Sequence, residues 1–152
     1  MKNNSDLFYT CSLIEYIGRE KKQKRSHVVA ALGAKNLKQI YSYADVFHCE
    51  PIANTADAFI EMCSIEEGSF DNVAACKYDV PDYWTIGEVY ARLIEDAVPK
   101  ETLPNETDVI VSKLIEVYSS WIDEAIQNYN TDFFYQPREY IAACYEEGSV
   151  VE

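Results

Sequence analysis

The residues best suited to chemistry in this chain are Asp45, His48, Cys49 and Glu50, with Cys63 and Cys76 further along. Three cysteines and a histidine are an acceptable zinc set. Structural zinc sites, however, take two ligands from one short clip, and here the thiols are widely separated. His48 and Cys49 do not pair as base and nucleophile either, because adjacent side chains on a helix point about 100° apart. His27, the other histidine, stands in no metalloprotease or phosphate-loop pattern. Glu66-Glu67 and Glu146-Glu147 place two carboxylates side by side, each pair close to a glycine. Acid–base work needs perturbed, buried acids, and these positions predict solvated element ends. The sequence therefore nominates no catalytic residue, no metal ligand and no cofactor. It nominates surfaces instead. Tyr83 and Trp84 form one aromatic cluster, and Phe133, Phe134 and Tyr135 form another. Arg19, Lys21, Lys22, Lys24 and Arg25 form the only dense basic run.

The elements that must position these residues are helical. Apolar residues recur at helical spacing over 105–129, from Val109 through Leu114, Trp121 and Ile122 to Tyr129, in a stripe wide enough to touch neighbours on two sides. That run is read as a long central helix, with Leu114, Trp121 and Ile122 buried together. Ser5 or Asp6 caps a first helix, and Leu7, Phe8, Cys11, Ile14 and Ile17 share its face. Gly18 falls at its end or in its last turn. Ser26 caps a second helix that stops at Gly33, and a third runs from Asn36 to about Phe47. Helix, glycine turn and helix outline a helix-turn-helix, but the second of the pair offers one Gln and no Arg to read bases. A fourth helix spans about 54–63. Residues 64–84 show no period beyond one possible turn near Val73–Tyr78, and a connection that long is unusual in a compact domain. Thr85-Ile86-Gly87-Glu88 reads as a capping box with Trp84 and Val89 as its staple, and Pro99 ends that helix. Pro137 opens a last helix that Gly148 closes. The expectation is an all-α bundle of six or seven helices forming a single domain over 1–152.

The net charge is −13 and unevenly placed. Residues 1–40 hold eight basic and three acidic residues, whereas 41–152 hold five basic and 23 acidic ones. The acidic part serves solubility and also suits a basic partner. The basic run is read either as a solvated helix end or as a patch for phosphate or an acidic partner. It has no interleaved aromatic on which a base would stack. Five cysteines, an odd number without a Cys-x-x-Cys pair, fit reduced thiols and predict a cytoplasmic location. Thr10, Ser12 and Glu15 interrupt any N-terminal apolar core, and no run reaches the ~20 apolar residues of a membrane span.

The segments Leu7-Phe8-Tyr9-Thr10-Cys11-Ser12-Leu13-Ile14-Glu15-Tyr16, Val28-Val29-Ala30-Ala31-Leu32-Gly33 and Leu37-Lys38-Gln39-Ile40-Tyr41 resemble uncharacterised small acidic helical proteins of Gram-positive bacteria. These are of the kind encoded near toxin genes, including ADP-ribosyltransferase-like ones. The resemblance covers the first third of the chain and supplies no catalytic residues. It implies an antitoxin- or immunity-like partner protein. Taken with the composition, the leading expectation is a non-enzymatic interaction protein that binds a basic protein surface through its aromatic clusters. The alternative is a nucleic-acid-binding regulator using 19–38, with weak or no nucleic-acid binding expected because 41–152 is so acidic. An enzyme comes third. The partner, the oligomeric state and the role of 64–84 are not legible.

Overall fold

The computed structural model describes residues 1–152 and is all-helical. Helix α1 (Ser5–Lys21) starts where Asn4 turns the chain, its side chain accepting a 3.0 Å hydrogen bond from the Leu7 amide. The cap is therefore Asn4, one residue before Ser5 and two before Asp6, the expected caps. The stretch Arg25–Ser42, labelled α2, holds two helical pieces, because the backbone leaves helical geometry at Gly33 (φ 75°, ψ 166°), where the second helix was expected to stop. The remainder of the expected third helix is a short separate one, α3 (Ala44–Phe47), followed by α4 (Ile52–Met62). One turn, α5 (Asn72–Ala75), interrupts the irregular segment. Helix α6 (Tyr83–Ala97) begins two residues before the expected capping box, because Asp82 rather than Thr85 is the cap. Its carboxylate accepts from the Thr85 amide at 2.7 Å. Trp84 then lies inside the helix and packs on Phe8 instead of stapling its start.

The run expected as one helix over 105–129 is helical in two pieces, α7 (Thr107–Tyr118) and α8 (Ile122–Gln127). The break falls at Ser119-Ser120-Trp121. The Ser120 hydroxyl donates to the Val117 carbonyl at 2.7 Å, the local competition by which serine loosens a helix end. Leu114 and Ile122 are fully buried, while Trp121 is half-buried and edge-on to Phe133. A 3-10 turn at Phe133–Tyr135 and α9 (Arg138–Glu147) complete the chain. There are thus nine α-helices where six or seven were expected, the excess being single turns and the split helix.

Helix α1 is the most enclosed element, packed on α6, α2, α4 and α3. Its small residues let it be buried nearly all round. Gly87 of α6 crosses directly over Ser12, and a Cβ there would sit 2.2 Å from the Ser12 hydroxyl oxygen. Helix α2 in turn packs on α7, and α6 on α9. One apolar core of 33 buried residues joins all these layers. Residues 64–82 are strapped to it by backbone. The Gly68 and Phe70 amides donate to the Lys21 and Lys22 carbonyls, each at 2.8 Å, using the free carbonyls at the end of α1. No helix is long and apolar enough to cross a membrane.

Candidate functional site

At the centre of the molecule, two charged residues are enclosed. Glu15 of α1 is 1% exposed and Arg25, the first residue of α2, is 0% exposed. The turn between the helices brings them together. Lys22 takes a left-handed conformation (φ 51°), and the Gln23 amide returns to the Gly18 carbonyl at 3.0 Å. The Arg25 side chain then runs back along α1 over Gly18, where a Cβ would lie 2.3 Å from Arg25 Cδ. Its guanidinium meets Glu15 as a fork, Nε to Oε1 and Nη2 to Oε2, both at 2.9 Å. Arg19, one turn after Glu15, donates to Oε2 at 2.8 Å. Gln127 donates to Oε1 at 2.8 Å, and the Tyr129 hydroxyl donates to Oε2. Burial alone would raise the Glu15 carboxyl, but the adjacent Arg25, with Arg19 and these hydrogen bonds, holds it at about 2. Further donors of the two arginines reach backbone and side-chain oxygens. Arg25 Nη1 donates to the Gln23 carbonyl and Nη2 to Asn72, and Arg19 Nη2 to the Pro81 carbonyl.

A second polar tier lies alongside. Tyr90 of α6 stacks on Tyr118 of α7 with centroids 4.1 Å apart, and its hydroxyl donates to Asp123 of α8 at 2.5 Å. Gln127 donates to the Tyr90 hydroxyl at 3.1 Å and so links the tiers. Asn72 donates to both the Gln127 carbonyl and its side-chain oxygen. Burial pushes the Asp123 carboxyl up to about 6, opposed by the Tyr90 hydrogen bond and by Arg25. The outer side of this tier opens to solvent as a cleft between 69–75 and α8. Polar groups so converged, with acids shifted in opposite directions, mark a candidate site.

The sequence did not point to this centre. The basic run was read as solvated or phosphate-facing, but Arg19 and Arg25 are part of the buried network. Only Lys22 and Lys24 of the run are exposed, and Lys21 is half-buried. A signal was present in the spacing. Glu15 stands one turn after Cys11 and just before Gly18 on a buried face, and Arg25 stands three residues before Val28 on another. A charge in an apolar register needs a partner.

The aromatic candidates divide. Phe133 is buried against Trp121 and is not available to a partner. Phe134 is half-buried, edge-on to Tyr129, and Tyr83 is half-buried, edge-on to Tyr16. Trp84 is 37% exposed and Tyr135 81% exposed. Two adjoining hollows lie on the α6–α9 surface, and Tyr135 lines one of them, whereas Trp84 lines neither. Phe8, which packs on Trp84, lines one, and Phe134 and Tyr135 line the other. Glu88, Arg92 and Arg138 form the ridge shared by both. Arg92 pairs with Glu88 at 2.5 Å, and Arg138 with Glu95 and Asp96 at 3.1 and 2.9 Å. The other sequence candidates stay apart: Cys49 is exposed beyond α3, while Cys63 ends α4 and Cys76 follows α5. Compared with family models, curated proteins and solved structures, the chain matches none.

Proposed function

We propose that the protein is a non-enzymatic binding module that neutralises a basic protein partner, in the manner of an antitoxin or immunity protein. One observation carries the reading. Phe134 and Tyr135 line a hollow that shares Glu88, Arg92 and Arg138 with a second one, lined by Phe8 on which Trp84 packs, and Tyr135 and Trp84 are both exposed rings. Exposed aromatics beside hollows are the usual anchors of a protein interface. The acids around them, Asp82, Asp132 and Glu139, are exposed and unpaired by any cation, and the whole chain carries −13. Such a surface steers a basic partner toward itself. The nucleic-acid alternative loses support, because two of the five cations in the basic run are committed to Glu15 and Lys22 faces Glu67.

The test uses the products of genes adjacent to this one, expressed with and without this chain. A toxic basic product should be neutralised. Tyr135→Ala should weaken the complex without moving the melting curve, and added salt should slow association. Neutralisation indifferent to both Tyr135→Ala and Trp84→Ala, with salt-independent association, rejects the proposed surface. Tight duplex binding that survives physiological salt and is lost on changing Lys21, Lys22 and Lys24 would favour the regulator instead.

A further inference from the structure

The cleft beside α8 has a volume of about 480 Å³ and a floor made of Asn72, Asp123, Gln127 and Tyr129. Three of these floor residues are tied to the central network, so the floor is in place before any guest arrives. Asp123 is tied in as well, through the Tyr90 hydroxyl, but it lacks an ion pair. It is 5% exposed, although Arg25, held in a fork by Glu15, still favours its charged form. Its hydrogen-bond donor is the Tyr90 hydroxyl. A buried carboxylate without a counter-ion is costly unless something supplies the charge.

We propose that this cleft binds a guanidinium group, with Asp123 as its buried counter-ion. Charge on the lining favours a cation: Asp71, Asp123 and Glu124 face one ammonium, Lys24. The carboxylates are not grouped closely enough to hold a metal ion. Phe70 and Tyr129 add aromatic lining, although one face of each ring is already taken by a guanidinium of the protein itself. Arg25 lies 5.8 Å from the Phe70 centroid and Arg19 5.3 Å from that of Tyr129. A planar fork of N–H donors also suits the carboxylate better than a point-charge ammonium does. The guest arrives either as a free alkylguanidine or as an arginine side chain of a partner. The charged and titratable groups facing Asp123 are Glu15 from α1, Arg25 from α2 and Tyr90 from α6, with Lys24, Asp71 and Glu124 around the same cleft. Since Asp123 ionises at about 6, binding strengthens as pH rises through that value.

The experiment is a titration of the full chain with ethylguanidinium, followed by amide NMR and calorimetry, with inorganic phosphate as the opposite probe. A saturable response at Asn72, Asp123 and Gln127 is expected, with none from phosphate. Asp123→Asn should weaken binding about tenfold or more, the weight of a charged hydrogen bond in a desolvated place. At the exposed rim, Lys24→Gln should tighten binding and Glu124→Gln should weaken it, and neither residue makes a hydrogen bond whose loss threatens folding. If Asp123→Asn fails to fold, this opposed pair decides. A capped arginine peptide that binds more tightly than ethylguanidinium identifies a partner side chain as the source, and equal binding identifies a small molecule. Absence of saturable binding, phosphate binding lost in Lys24→Gln, or an affinity untouched by Asp123→Asn in a folded variant overturns the proposal. None of these outcomes bears on the α6–α9 surface, where only Trp84 and Tyr135 are tested.

Discussion

The centre of the molecule and the α6–α9 surface solve opposite problems. At the centre, charges are removed from water, and every oxygen of Glu15 is met by donors from α1, α2, α8 and the turn after it. On the α6–α9 surface, large rings are left in water with part of their apolar area uncovered. A buried network tolerates little change, because removing one member leaves the others unpaired. An exposed ring is free to change without harming the fold, and so is free to serve a partner. The contrast separates residues that position elements from residues that meet other molecules.

The sharpest way to break the comparison is to empty one side of the ion pair. Arg25→Met leaves Glu15 buried without its main partner, and should cost about 3–5 kcal/mol in a denaturation midpoint. Replacing Glu15 and Arg25 together by apolar residues should recover much of that loss. A single Arg25→Met variant as stable as the parent would show that the network does not hold the centre of the fold together. Gly18→Ala pushes a methyl into the Arg25 side chain, which is enclosed and unable to swing aside. It should cost about 1–3 kcal/mol, although alanine is the better helix former.

The two buried acids give the comparison a pH dependence. Glu15 has its folded value depressed from 4.5 to about 2. Its contribution is present above 4.5 and is lost as pH falls toward 2. Asp123 has its folded value raised from 3.8 to about 6. Below 3.8 it costs nothing, and stability falls as pH rises from 3.8 to about 6, where the unfolded chain ionises first. Together the two groups favour a stability maximum near the overlap of these windows. Urea midpoints measured across pH check it, and Asp123→Asn should flatten the loss on the upper side alone. The smallest effect is expected at the surface. Tyr135→Ala should stay within about 0.5 kcal/mol of the parent. Phe134→Ala is the intermediate case, since Phe134 packs on Tyr129 at the edge of the network. A stability loss for Tyr135→Ala as large as for Phe134→Ala would erase the distinction between the two regions.

Much of the helical layout was legible because it is written locally. Periodic apolar residues, Pro99 and Pro137 as boundaries, and Gly148 as a stop placed α1, α4, α6 and α9 within a few residues. Short-range competitors were harder to read. Asp82 displaced Thr85 as a cap, and Ser119-Ser120 divided the expected long helix, because a side chain that bonds nearby backbone leaves no mark on hydrophobic periodicity. At the candidate sites the aromatic clusters were visible as residue types, but their exposure was not. Phe133 and Tyr135 are two residues apart and end in opposite environments, because a 3-10 turn points one inward and the other out. The all-α class, the charge balance and the lack of a membrane-crossing apolar run were determined by composition and spacing alone. Only the tertiary structure decided that Glu15 and Arg25, ten residues apart, close on each other and on Gln127 and Tyr129 more than a hundred residues away. Burial is a property of the packed whole, and a charge reveals its partner only when the elements carrying both have been folded against each other.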